Sequence, residues 1–130
     1  MKTVFSVLLT LFCLTGLALR AQDAGDVQPS TADVKKNVQD GTALLVDVRE
    51  QKEFAEGHLA ASSNVPISGI RGKQFPADFS KTKMTYLYCG CPAGKGAFEA
   101  SKIMNAEGYH TIPLKANYKE LMNDGYEQAK

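Results

Sequence analysis

Cys89 and Cys91 stand one residue apart in "YCGCPAGKG", a stretch that also holds Pro92, three glycines and Lys95. A thiol attacks, or ligates a soft metal, as its thiolate, so two of them in one short loop point to sulfur chemistry. A nucleophile needs only one thiol, and a structural zinc site usually takes four ligands. The two are too close in sequence to staple distant parts of a fold, so their role is local. A covalent nucleophile, a thiol–disulfide redox pair and a Cu(I) clasp of two soft thiolates all remain open. For the redox reading, C-x-C is not the thioredoxin-type C-x-x-C. For copper, only two obvious ligands are present.

The elements around the pair set its geometry. "MTYLYC" (Met84–Cys89) carries β-forming Thr, Tyr and Leu and reads as a central strand. A helix over about 97–107 follows, with Ala97, Ala100, Ile103, Met104 and Glu107 spaced at three and four and Gly108 as its stop. A loop between a strand and a helix N-terminus offers backbone N–H donors and the positive end of the helix dipole. Gly90, Ala93, Gly94, Lys95 and Gly96 are therefore the expected anion-binding nest, with positive φ angles supplied by the glycines. Pro92 has no N–H and rigidifies the turn. Lys95 is read either as a positive charge assisting an anionic donor or as a solvated side chain. Cys91 either resolves an adduct on Cys89 through a local disulfide or merely shapes the loop.

The rest of the chain alternates helices and strands. Ser30 is a plausible N-cap for a helix over 31–39, with Val34 and Val38 on one face and Asp40-Gly41 as the stop. "ALLVDV" (43–48) is a short apolar run suited to a strand buried on both faces. "EQKEFAEGH" has helical composition and stops at Gly57, "SNVP" suggests a brief second strand, and residues 67–82 read as turns around short helices. "YHTIPL" and "YKELMNDG" read as a last strand and a last helix. This alternation implies a parallel α/β sheet, in which ligands sit beyond the carboxyl ends of the strands. Two such ends carry reactive residues: "VDVRE" and the cysteine loop. Met84, Met104 and Met122 read as core fillers rather than metal ligands.

The opening "MKTVFSVLLTLFCLTGLALRAQDAG" reads as an export signal, with Lys2 ahead of the apolar run Val4–Leu19 and small residues at Ala18 and Ala21. Cleavage is expected after Ala21, with cleavage after Ala18, an uncleaved anchor and a lipoprotein at Cys13 as alternatives; the run is short for a membrane span. The expected division is a signal over 1–21, a flexible lead over 22–29 and one domain over 30–130, exported to a periplasm or the medium. Removing 1–21 leaves 109 residues with 13 basic against 14 acidic side chains, and only Cys89 and Cys91 as thiols. No basic patch stands out, which argues against a nucleic-acid partner. A membrane would be met only through an uncleaved signal.

"LLVDVREQKEFAEGHLAASSNVP" (44–66) resembles the rhodanese homology domain, with its D-x-R, E-F, G-H-[IL] and N-[IV]-P elements in order, and the later "LYC", helix and "EGY" fit as well. The resemblance covers about residues 30–127. It implies a parallel, about five-stranded α/β domain flanked by helices, with Cys89 accepting sulfane sulfur as a persulfide. It also implies that Asp47 and Arg49 hold the end of the first strand beside the active loop, and that His58 is architectural. Glu53 is a candidate ion-pair partner for Arg49. Many family loops run C-x-x-G-x-[RS]-[ST]; here Gly108 lies 19 residues after Cys89, about two more than usual, and the opening resembles a less common subgroup with a CxCP loop. Tyr118 stands near the family's late aromatic region.

The leading expectation is thus an exported sulfurtransferase needing no cofactor or metal. Its donor would be a small sulfur-containing anion such as thiosulfate, or a persulfide; its acceptor would be cyanide or a thiol, small or on a protein. A redox protein using Cys89/Cys91 and a non-catalytic binding module are the competing classes. A phosphatase on this fold would want an anion-clamping arginine at the end of the loop, and no arginine follows Arg71.

Overall fold

The computed structural model describes residues 27–130; the expected signal and most of the expected lead lie outside the described residues. Gln28, at the end of that lead, is docked: its side chain donates to the Pro113 carbonyl at 3.2 Å and accepts from the Lys115 N–H at 2.8 Å.

Helix α1 spans Thr31–Gln39, capped by the Ser30 hydroxyl accepting from the Asp33 N–H, and Gly41 at φ +73° turns the chain into β1, Ala43–Asp47. Next come α2 (Gln51–Glu56), β2 (His58–Leu59), β3 (Ser62–Asn64) and α3 (Ile67–Arg71). Strand β4 (Met84–Tyr88) leads through a short 3-10 turn (Pro92–Gly94) into α4 (Lys95–Ala106). β5 (Thr111–Pro113), α5 (Tyr118–Asn123) and β6 (Gln128–Ala129) complete the order.

The main sheet is parallel throughout, in the order β3-β1-β4-β5. It has four strands where about five were expected. The difference lies in β2 and β6, two residues each, which pair antiparallel with one another instead of extending the sheet.

Side chains alternate across the pleat and build a core on each face. Val46, Leu87 and Cys89 join Ile70 of α3 and Ala97, Ala100 and Met104 of α4 on one face. Leu45, Tyr86 and Tyr88 join Val34 of α1 and Leu121 of α5 on the other. Burying each large apolar side chain contributes roughly 1.5–3 kcal/mol. This alternation aims Cys89 at the α4 face and Tyr88 at the α5 face. Met104 is fully buried and Met122 packs against the second core, but Met84 is exposed at the first residue of β4, so it fills no core. Among the described residues, no helix is long and apolar enough to cross a membrane.

Candidate active site

The two central strands end level with each other, Asp47 opposite Tyr88 in the register. That pairing brings "VDVRE" and the cysteine loop side by side.

At the end of β1, Asp47 is completely buried and Arg49 nearly so. Arg49 Nη2 donates to Asp47 Oδ2 at 2.6 Å, its Nε reaches both carboxylate oxygens at 3.0 Å, and its backbone N–H donates to Oδ1 at 2.9 Å. Nη2 also donates to the Gly57 carbonyl at 2.7 Å, and the guanidinium lies 3.9 Å from the centre of the Tyr118 ring. Cation and carboxylate are thus bonded to each other and to the backbone, which is what a buried ion pair requires. Asn64 adds a clamp, its Nδ2 donating to the carbonyls of Asp47 and Arg49, both at 2.9 Å.

Glu53 does not pair with Arg49. It forms the capping box of α2, accepting from the Glu50 N–H at 3.4 Å, because Asp47 already occupies the guanidinium face it would have used. His58 is architectural as expected: its Nδ1 donates to the Phe54 carbonyl at 2.9 Å and its ring stacks on Phe54 at 3.7 Å.

At the end of β4, Cys89 is 2% exposed. Its Sγ accepts the Cys91 N–H at 3.3 Å, and the Cys89 carbonyl accepts from the Tyr118 N–H at 2.8 Å, tying the loop to α5. Burial and then the Cys91 side chain push the Cys89 thiol above the ordinary cysteine range, against the N–H groups of Ala97 and Cys91, which favour the thiolate. The resting sulfur is therefore a thiol, held beside donors that would stabilise its anion.

A cavity of about 150 Å³ opens on this sulfur, lined by Val48, Arg49, Glu50, Glu53, Ile67, Cys89, Gly90, Cys91 and Gly96. Of the expected nest, only Gly90 and Gly96 line it. Ala93 and Gly94 take the left-handed region, at φ +54° and +69°, and Gly94 packs against the Leu114 carbonyl. Positive φ thus falls on Ala93 and Gly94, not on Gly90 and Gly96. The latter serve by their size: a Cβ on Gly96 would lie 3.0 Å from Cys91 Sγ and 3.5 Å from Cys89 Sγ, and one on Gly90 would lie 3.3 Å from Arg49 Cδ. Lys95 begins α4, is exposed, and does not line the cavity.

Two contributors went unnoticed in the sequence. Glu50 lines the cavity while its carboxylate accepts from the Ser68 N–H and hydroxyl, at 3.3 and 2.8 Å. Tyr88 accepts from the Leu59 N–H at 3.1 Å and meets the Ser62 hydroxyl at 2.9 Å, its own hydroxyl kept protonated by burial and by the charge of Asp47. No spacing marks Glu50 as part of the wall of the thiol's cavity. Tyr88 follows only once the alternation of β4 is fixed by Cys89.

Comparison with known proteins identifies the family and the fold. A family model described as a rhodanese-like domain matches residues 30–125. The thiosulfate:glutathione sulfurtransferase of Saccharomyces cerevisiae is 32% identical over 123 residues, 84% of this chain and 85% of that protein. The uncharacterized protein YqhL of Bacillus subtilis is 43% identical over 79 residues, and the match spans 60% of each chain. A crystal structure of a rhodanese-related protein from Thermoplasma volcanium shares the fold at a TM-score of 0.65 and 24% identity, covering 78% of this chain and 96% of that one. Because the family model runs through every strand of the parallel sheet and across the Cys89 loop, the chain belongs to the rhodanese-like domain family, which includes sulfurtransferases.

Proposed function

We propose that this chain is a sulfurtransferase that takes a sulfane sulfur onto Cys89 as a persulfide and passes it to a thiol or to cyanide. One observation carries the reading: a buried sulfur at the end of a central strand opens on a cavity of about 150 Å³ with the Cys91 N–H 3.3 Å from it. In loading, Cys89 Sγ attacks the donor's outer sulfur and the donor's S–S bond breaks, releasing sulfite from thiosulfate or a thiol from a persulfide. In discharge, the acceptor attacks the outer sulfur and Cys89 leaves as its thiolate.

The lining favours a small persulfide over a dianion. Glu50 and Glu53 carry negative charge, and the guanidinium of Arg49 is already committed to Asp47 and Gly57. The yeast relative's name couples thiosulfate with glutathione, so thiosulfate and glutathione persulfide are the donors to compare. Incubating the protein with each and measuring intact mass and cyanide-releasable sulfur tests the reading. Uptake of one sulfur, held as an adduct or released again as sulfide, is expected with the wild type and none with Cys89→Ser; an undiminished adduct on that variant overturns it.

The reading includes export, supported by Lys2, the apolar run Val4–Leu19 and the small residues Ala18 and Ala21. N-terminal sequencing of protein recovered from the periplasm or medium should begin at Gln22. Recovery of the full chain in the cytoplasm alone overturns this part.

A further inference from the structure

The sulfur-carrier reading leaves Cys91 without a task, although its sulfur shares a wall with that of Cys89. Both line the same cavity. Both sulfurs also flank one point on the α4 backbone, 3.0 and 3.5 Å from where a Cβ of Gly96 would stand. A side chain at this one position would crowd both thiols. Their accessibilities differ: Cys89 is buried, Cys91 partly exposed, and both are free thiols.

We propose that Cys91 discharges the Cys89 persulfide within the same chain, releasing sulfide and leaving a Cys89–Cys91 disulfide. This rests on the sulfur-carrier reading and gives the site a second activity, sulfide release without an external acceptor. The Cys91 thiolate attacks Cys89 Sγ, the bond from Sγ to the outer sulfur breaks, and that sulfur leaves as hydrosulfide, taking up the proton that Cys91 gave up. The sulfane sulfur is reduced to sulfide while the two cysteine sulfurs are oxidised to a disulfide, so no outside oxidant enters. Resetting the site requires a thiol or dithiol reductant, which the partly exposed Cys91 sulfur can meet.

Attack on the outer sulfur would instead move it to Cys91 and expel the Cys89 thiolate. The geometry disfavours that route for Cys91, because its N–H already touches Cys89 Sγ and its sulfur lies beside the same glycine, which puts the inner sulfur of the persulfide nearest to it. Hydrosulfide is the conjugate base of a stronger acid than an ordinary thiol and leaves more readily.

The test is a single turnover of the reduced full chain with one equivalent of glutathione persulfide, without added thiol or oxygen, read by intact mass, fragment mapping and sulfide release. The wild type should release about one equivalent of sulfide and end lighter by two hydrogens, whereas Cys91→Ser holds the added sulfur on Cys89. Added sulfur that persists equally on both proteins, or that maps to Cys91, overturns the proposal. A second arm bypasses the donor by equilibrating the reduced chain with a glutathione redox buffer. An intramolecular Cys89–Cys91 disulfide is expected there; a lasting glutathione adduct on Cys91 beside a free Cys89 overturns the inference alone. Failure of wild type and Cys91→Ser alike to take up sulfur overturns both readings.

Discussion

The ends of β1 and β4 lie level in one sheet and are held by opposite means. Beyond β1, side chains do the holding: Asp47 and Arg49 bond to each other, Arg49 to the Gly57 carbonyl, and the Asn64 amide N–H to two backbone carbonyls. Beyond β4, backbone does it: a 3-10 turn, two left-handed residues and a glycine beside two sulfurs shape the loop. Charged groups spent on each other support, and sulfurs that line an open cavity react. The comparison assigns scaffold to Asp47 and Arg49 and chemistry to Cys89 and Cys91.

The strongest way to break this contrast is to cut the side-chain half. Arg49→Leu leaves the Asp47 carboxylate buried and unpaired, which costs about 3–5 kcal/mol. That is a large part of the roughly 5–15 kcal/mol that stabilises a domain. Urea unfolding should show the midpoint falling sharply, with most of the loss recovered when Asp47→Asn is added, since a neutral amide tolerates burial better than a lone charge. A midpoint within experimental error of the wild type would remove the scaffold assignment.

The backbone half breaks at Gly94. An alanine there would be strained by its left-handed φ and would also drive a Cβ into the Leu114 carbonyl, at a combined cost of roughly 3 kcal/mol. Ala93 holds nearly the same φ with its side chain exposed, so Ala93→Gly relieves strain and should gain at most about 1 kcal/mol. Two adjacent substitutions moving stability in opposite directions, followed by thermal unfolding, would mark the turn as conformation-held. Equal losses would mean that contacts hold it instead.

This difference also explains what the sequence made legible. α1 and its Ser30 cap, β1, β4 and the family block around Asp47 and Arg49 were all readable, because local periodicity and short-range motifs encode them. The pairing of Asp47 with Arg49, two residues apart on one strand end, is equally local, although the expected partner was Glu53. What escaped depends on folding: β2 meets β6 only after 68 residues of chain return to it, and Glu53 loses Arg49 to a carboxylate nearer at hand. The loop misled for another reason. Glycine signals freedom, not its use, so Gly90 and Gly96 looked like positive-φ residues when their role is to let Arg49 and two sulfurs come close. Lys95 was open to two readings, an assisting charge or a solvated side chain, and the turn ahead of α4 leaves it exposed and outside the cavity wall.

Reactivity at the β4 end can be sharpened by pH. Because burial raises the Cys89 thiol, the thiolate is a small fraction near neutrality. The rate of sulfur loading should rise about tenfold per pH unit and bend only above the ordinary cysteine range, near 8.5 in free peptides. The same shift has a stability counterpart. A thiol whose folded pKa is raised stabilises the fold below its unfolded pKa, and that contribution is lost as pH climbs through the folded value. Loading rates therefore need a parallel unfolding measurement at each pH. A bend below the free-peptide value would show that the Ala97 and Cys91 N–H groups outweigh burial, and the resting site would then hold a thiolate.

The smallest effect concerns charge at the mouth. Glu50 and Glu53 both line the cavity from exposed positions, where water and salt screen them. Removing both charges as Glu50→Gln and Glu53→Gln keeps an acceptor for Ser68 and for the α2 capping box, so the scaffold is spared. Unit charges several ångströms apart near a surface interact by roughly 0.5–1 kcal/mol after screening. Thiosulfate loading should accordingly speed up by about two- to fivefold, while an alkyl persulfide such as that of mercaptoethanol, with at most one negative charge, should change less. Added salt should shrink the thiosulfate difference. If both donors respond alike, the carboxylates act through loop geometry rather than field, and the side-chain half of the comparison extends into the reactive half.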